Sequence, residues 1–363
     1  FNYGIVYLLV KININMRKLI SLLLLLVFTS GITQDKAPNI ILMIGDGMGL
    51  TQISSGMYAN KNSTALEGFE FIGLSKTHAF GQLITDSAAS GTAMASGVKT
   101  YNGVIGIDTK NKSIKSILEI CQDKGYKTAL LATSSIVHAT PASFYAKIPS
   151  RRQYQDIALQ LREHSVDLFI GGGKKHFNKR DDKRNLIEEM NNYHFVKNLE
   201  ELSSSESNKI GYLTYKDEPP TKLEGRGPAL EDMASSSIKK MESLGEPFFM
   251  MIEGSQIDWG GHSNDMDYVL SEFKEFNTTI QRVLDYAKSD GNTLVIVTAD
   301  HETGGLTLSG GNIKRGIAKG TFSTKGHSAA MVPVFSYGPK AELFKGIYEN
   351  TAIFDKMLKA VTK

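Results

Sequence analysis

Six short, uninterrupted apolar runs divide the chain: 39–44 (NIILMI), 127–132 (KTALLA), 166–170 (VDLFI), 247–252 (PFFMMI), 292–298 (NTLVIVT) and 332–337 (VPVFSY). None shows the apolar–polar alternation of a strand with one wet face, so each reads as a strand buried on both faces. Between them, helical patterns occupy 113–124, 151–164, 230–244, 268–289 and 350–361. Strands alternating with helices predict an α/β fold, a three-layer α/β/α sandwich around a largely parallel central sheet. The polar stretch 178–227, rich in Ser, Lys and Glu, reads as surface excursions rather than a second core. The segment 310–326 (GGNIKRGIAKGTFSTKG) reads as a mobile Gly-rich loop. No internal repeat interrupts this order, and a single domain over 35–363 follows.

The N-terminal end has a different character. From Met16 the chain runs MRKLISLLLLLVFTSGITQ, a short basic segment followed by apolar and then small or polar residues. This is the layout of a secretory signal. Roughly ten apolar residues are too few to span a bilayer, which needs about twenty. The reading is a leader over 1–34 with cleavage between Ser30 and Gln34, residues 1–15 being an artefact upstream of a natural start. The product is expected to be periplasmic or secreted, with no stable membrane span in its mature form. Lys11, Arg17 and Lys18 all lie in this leader and no acidic residue precedes Asp35, so the formal +3 falls to about zero in the body. A neutral body without a basic stripe argues against nucleic acid as a partner. Cys121 is the only cysteine. It excludes an intrachain disulfide, and its place on the apolar side of IKSILEICQDKG predicts a buried thiol.

The chemistry lies just beyond the end of each strand. NIILMI leads into GDGMG with Asp46, and KTALLA into TSSIVHATP with His138 and Thr140. PFFMMI leads into EGSQIDWGGH with Glu253, Asp258 and His262, and NTLVIVT into ADHETGG with Asp300 and His301. Ligands of open α/β sheets bind beyond the carboxyl ends of the strands, so these side chains share one rim. Carboxylates crowded in a dry cleft do not all ionise unless cations neutralise them, which points to a metal cluster. Histidine with carboxylate and no cysteine suits zinc, whereas Asp, Glu and Thr oxygens suit magnesium. Asp258 and His262 are four apart, as on one helical turn, but the intervening Gly260 and Gly261 suggest a tight loop. His327, in STKGHSAAMVP, is a further candidate ligand.

The segment ITDSAASGTAMASGVKTYNG (84–103) places Ser87 directly behind Asp86 and before a run of small residues. Small residues let a helix pack closely, which accounts for Ala93, Ala95 and Gly97. A serine at a helix start also gains unpaired backbone N–H groups and the positive end of the dipole, both favourable to an alkoxide and a phosphate. A metal lowers its hydroxyl pKa without a general base, although a hydrolase triad could draw a histidine from elsewhere.

Taken in order, GDGMG, ITDSAASGTAMASGVKTYNG, HATPASFYAKIPSR, EGSQIDWGGH, TADHETGG and GHSAAMVPVFSYGP resemble the alkaline phosphatase family, most closely its compact secreted bacterial members. The resemblance covers the chain from about Lys36 onward. It implies metal-dependent hydrolysis of small phosphomonoesters through a phosphoserine at Ser87. It implies one zinc held by Asp258, His262 and His327, and a second held by Asp46, Asp300 and His301 close to Ser87. Magnesium would be held by Asp46, Thr140 and Glu253, with Asp46 bridging, while Arg151 grips two phosphoryl oxygens. Some members carry Asp where this chain has His138, which either ligates the third metal or shapes its surroundings. Trp259 stands where others have Lys or His, and either lines the phosphate pocket or packs. Asp86 is expected beside the pocket. Family members are commonly homodimers, and no interface is legible in this sequence. The nearest alternative reading is another reaction on the same metal scaffold, such as phosphodiester or sulfate-ester hydrolysis. A non-catalytic phosphate or metal binder is the reading of another class, and it has no need of a serine poised beside metals.

Overall fold

The strand β1 (Asn39–Gly45) has all seven residues buried, and its side chains divide between two cores. Ile40, Leu42 and Ile44 enter one, Ile41 and Met43 the other. This is the period-2 geometry of a strand covered on both faces, and each such side chain contributes about 1.5–3 kcal/mol on burial. The computed structural model describes residues 37–362. The leader expected over 1–34 lies outside these residues.

The sheet comprises β1, β2 (Phe71–Lys76), β3 (Lys127–Ser135), β4 (Leu168–Gly172), β5 (His194–Phe195), β6 (Ile210–Leu213), β7 (Phe248–Gly254) and β8 (Thr293–Thr298). Two further members, β13 (Val332–Tyr337) and β14 (Gly346–Glu349), come after two small ribbons. The order is β14-β2-β13-β8-β1-β7-β3-β4-β6-β5, and β13 alone runs against both its neighbours. Helices Ser87–Ser96, Ile117–Asp123, Tyr154–His164 and Thr351–Val361 supply side chains to one core. Helices Leu50–Ala59, Leu230–Ser243 and Met266–Asp290 supply the other. The three-layer expectation holds.

Four local expectations do not. Residues 178–227 form no second core, but they carry β5 and β6, which extend the main sheet beyond β4. The segment 310–326 is not a loop: β10 (Leu306–Asn312) and β11 (Ile317–Phe322) pair as an antiparallel ribbon turned at Ile313–Arg315. The helix expected from Arg151 begins at Tyr154, leaving Arg151 in the preceding turn with its N–H on Gly103 O at 2.7 Å. Asp258 and His262 lie on a helix, Gln256–Ser263, not in a loop. Its two glycines serve packing: a Cβ at Gly260 would meet Val269 N at 2.8 Å, and one at Gly261 would meet Thr303 O at 2.9 Å.

Cys121 is buried as expected, in a helix whose start is closed by a reciprocal Ser116–Glu119 capping box, and burial pushes its thiol up to about 12. No helix among the described residues is long and apolar enough to cross a membrane.

A buried ion cluster ties the connection before Leu230–Ser243 to the 25-residue helix Met266–Asp290. Arg226 bonds Glu272 and Glu275 together, Lys222 Nζ donates to Glu275 at 2.7 Å, and the Lys222 N–H donates to Glu272 at 2.8 Å. Removing one member of such a set leaves uncompensated buried charge, at a cost of about 3–5 kcal/mol. Arg226→Met is therefore expected to destabilise the metal-saturated protein by that amount in urea unfolding; an unchanged midpoint would contradict the role assigned to the cluster.

Candidate active site and metal centre

Register brings the acidic residues level. Ile44 on β1 pairs with Glu253 on β7 and with Thr298 on β8, so Asp46, Glu253 and Asp300 emerge at one rim. From β3 the chain turns through His138 into the short helix Ala139–Ala142, which carries Thr140. Thr140 Oγ1 donates to Asp46 Oδ2 at 3.4 Å. Ser134 Oγ donates to Glu253 Oε2 at the same distance. The Asp46, Glu253, Asp300 and Thr140 side chains are buried.

Ser87 opens the helix Ser87–Ser96, and all ten residues of that helix are buried. Asp86 caps it, Oδ1 accepting the Ala89 N–H at 2.9 Å. Its other oxygen accepts the Gly103 N–H and Arg151 Nη1, both at 3.0 Å. One carboxylate thus fixes the helix start and the arginine beside it. Arg152 is exposed and makes no such contact. Small residues also serve packing here, since a Cβ at Gly91 would meet Ser143 Oγ at 2.6 Å. Ser90 Oγ donates to Asp300 O at 2.8 Å and joins the serine helix to the end of β8.

Three histidines face inward. His262 Nδ1 lies 2.6 Å from Lys325 O, and His327 Nδ1 lies 2.7 Å from Thr85 O. A carbonyl only accepts, so both Nδ1 atoms carry protons, and each ring, when neutral, presents a bare Nε2. Those Nε2 atoms lie 3.2 Å apart, and 3.3 Å and 3.5 Å from the Asp258 carboxylate. Such pinning of the far ring nitrogen is the usual support of a metal-binding imidazole. His301 stacks on His327, and its Nε2 lies 3.4 Å from Ser87 Oγ, 3.0 Å from Asp300 Oδ2 and 3.6 Å from Asp46 Oδ1.

The Ser87–His301 contact is not a hydrolase triad. A triad places its carboxylate on the ring nitrogen away from the serine. Here two carboxylates converge on the same nitrogen as the serine, which is the arrangement of a cation site. Ligand atoms of Asp258, His262 and His327 lie within 4.8 Å of one another, as do those of Asp46, Asp258 and His301. Asp258 therefore stands close to both groups, a closeness the sequence did not suggest.

The electrostatics agree. Burial, reinforced by the Asp300, Asp258 and Glu253 charges, raises Asp46 well above the usual carboxylate range. Burial pushes Glu253 up to about 7. Burial would also raise Asp258, but His262 and His327 hold it well below its ordinary value, and Asp258 in turn lifts His262 to about 9. Asp46 Oδ1, Glu253 Oε1, Asp300 Oδ2 and His138 Nδ1 are buried without hydrogen-bond partners. Orphaned acceptors of this kind cost about 1–3 kcal/mol each, more when charged. Divalent ions would satisfy them all, so the donor set fits the metals. Trp259, half-buried, crosses the His138 ring edge-on at 5.9 Å.

Every site residue expected from the sequence thus falls in one neighbourhood. Sequence reasoning missed Thr303 and Ser134, whose hydroxyls bond Asp258 and Glu253. Only the place of Thr303 directly after ADHE, and of Ser134 four positions before His138, could have signalled them.

Residues 37–319 match the family model described as alkaline phosphatase. Among curated proteins, alkaline phosphatase 4 of Bacillus subtilis is 37% identical over 90% of this chain and 75% of its own. Alkaline phosphatase 3 of the same organism is 32% identical over 90% of each. Among solved structures, the alkaline phosphatase of the Antarctic bacterium TAB5 is 43% identical, with a TM-score of 0.85 over 90% of this chain and 98% of that one. Two variants of that enzyme, with a histidine replaced by Asp or Glu, have Mg bound in their M3 site. The chain belongs to the alkaline phosphatase family and is a metal-dependent phosphomonoester hydrolase.

Proposed function

We propose that Ser87 Oγ is the nucleophile of two successive displacements at phosphorus. In the first, Oγ loses its proton and bonds to phosphorus while the ester P–O bond breaks, releasing the alcohol. In the second, water attacks the phosphoserine, the P–Oγ bond breaks, and inorganic phosphate leaves. The observation that carries this reading is Ser87 at a helix N-terminus, 3.4 Å from an imidazole nitrogen that also faces two carboxylates.

Asp258, His262 and His327 would hold one zinc, Asp46, Asp300 and His301 a second, and Asp46, Thr140 and Glu253 a magnesium. The unpartnered oxygens of Asp46, Glu253 and Asp300 support this assignment, as does the Mg found in variants of the Antarctic relative. When bound, these ions supply Lewis-acid charge for deprotonating serine and water and for the departing oxygen. His138 would shape or complete the third site: burial and the Arg151 charge push it down to about 3, keeping the ring neutral. Arg151, oriented by Asp86, would bind two phosphoryl oxygens in a fork and offset their charge. Asp86 keeps the fork and the Ser87 helix in fixed relation. Trp259 would limit the pocket on the His138 side.

We further propose that residues 1–34 direct export to the periplasm or medium and are removed, leaving a mature catalytic domain. N-terminal sequencing of the exported protein should begin between residues 31 and 35; an intact leader on exported material would refute cleavage. Assembly as a homodimer follows family habit, and its check is light scattering.

Ser87→Ala should abolish phosphate incorporation from a labelled monoester while leaving metal content unchanged; labelled protein in that variant would exclude the role. Arg151→Ala removes charge-assisted hydrogen bonds of about 1.5–3 kcal/mol, a fall in kcat/KM of roughly 10–150-fold. A twofold effect would place the phosphoryl group elsewhere. Elemental analysis should find zinc and magnesium near two to one, and exhaustive chelation should abolish turnover and lower the thermal midpoint. Full activity after chelation would contradict the metal assignment.

A further inference from the structure

Thr303 ends the short strand β9 (Glu302–Thr303), which pairs with β12 (His327–Ser328) so that Thr303 stands opposite His327. It is fully buried. Its hydroxyl lies 2.5 Å from Asp258 Oδ1 and 3.2 Å from His301 Nδ1. The hydroxyl has a single proton. An ionised carboxylate has none to give, so Thr303 donates to Asp258. Its lone pairs then face His301, and that contact is a hydrogen bond only if His301 Nδ1 carries the proton. The neutral ring is thereby fixed with its Nε2 lone pair aimed at Ser87, Asp46 and Asp300.

The surroundings are built to admit this hydroxyl. Gly47, at φ +71°, has no Cβ; one placed there would lie 2.8 Å from Thr303 Oγ1 and 2.7 Å from the Asp258 Cα. A Cβ on Gly261 would lie 2.9 Å from Thr303 Cγ2. The Thr303 N–H donates to Gly47 O at 3.3 Å, and its carbonyl accepts from Gln52 Nε2 at 2.7 Å. Gln52 also donates to Glu302 Oε1 at 2.7 Å, and Glu302 accepts the Gly305 and Leu306 N–H groups, so the threonine sits on a braced strand.

We propose that Thr303 is a positioning residue that couples the two histidine–carboxylate groups, setting the tautomer of His301 and the orientation of Asp258 through one hydroxyl. The proposal rests on Asp258 and His301 being metal ligands. Through this link each group supports the other: loss of the hydroxyl frees the His301 ring to rotate and releases one oxygen of Asp258.

The test starts from the zinc-loaded full chain and compares wild type with Thr303→Val, which keeps shape, and Thr303→Ser, which keeps the hydroxyl. Zinc retention is measured against a chromophoric chelator. Loss of a group supporting a metal ligand typically weakens binding by about 10–100-fold; Thr303→Val should show a shift of that order and Thr303→Ser should recover most of it. In selectively 15N-histidine-labelled wild type, His301 should show an Nδ1–H proton protected from solvent exchange, and Thr303→Val should lose that protection. Wild-type zinc retention by Thr303→Val, or equal weakness in Thr303→Ser, would overturn the proposal. So would a His301 that lacks the Nδ1 proton in the unaltered protein, a reading that stands even if Thr303→Val does not fold. Asp258→Asn and His301→Gln separate the two levels. If they lose zinc while Thr303→Val keeps it, the coupling alone fails; if they too keep it, the ligand assignment fails and takes the coupling with it.

Discussion

The constraint on which the site depends is an excess of buried negative charge at the carboxyl ends of adjacent strands. Asp46, Glu253 and Asp300 are held at one depth by the parallel register of β1, β7 and β8 and shielded from water by the helices that cover the sheet. Burial and mutual repulsion disfavour the ionised forms of Asp46 and Glu253, whereas burial at Asp300 is outweighed by His301, which holds that carboxyl below its ordinary value. Counter-charge from bound cations makes such a rim stable and chemically useful at once.

Around that rim the chain uses single residues for paired tasks. Asp86 closes the N-terminus of the serine helix and also holds Arg151. A shift of Ser87 therefore moves Arg151 with it. Ser90 ties the same helix to the backbone of Asp300. Backbone carbonyls at Thr85 and Lys325 pin the far nitrogens of His327 and His262. Preorganisation of this kind avoids reorganisation of the site during reaction, which is where electrostatic catalysis gains most.

Much of this was legible in the sequence, for a physical reason. Strands buried on both faces have no choice but to be continuously apolar, so β1, β3, β7, β8 and β13 stand out, and the acids beyond β1, β7 and β8 mark the rim. The misses share a cause as well. In β2, β5, β6 and β14 the runs are short or mixed with polar residues, because these strands lie toward the sheet edges and tertiary pairing, not local pattern, decides their state. The glycines of Gln256–Ser263 imitate a turn but sit in a helix, where they admit Val269 and Thr303. Gly310, Gly311 and Gly316 imitate a loop but belong to a ribbon whose register forms only when both strands meet. Arg151 falls outside its helix because its backbone bonds Gly103. Thr303 carries no sequence signal of its own, since a threonine after Asp-His-Glu looks like any strand residue until its hydroxyl is seen between Asp258 and His301.

The central claim is that separate chain segments gather their acids and imidazoles to hold divalent ions beside one serine. Anomalous diffraction from crystals of the purified protein, recorded on either side of the zinc edge, tests it directly. One peak is expected among Asp258, His262 and His327, and another among Asp46, Asp300 and His301 beside Ser87. A zinc-replete crystal with no peak in either place, or with its peaks on distant surface residues, would contradict it.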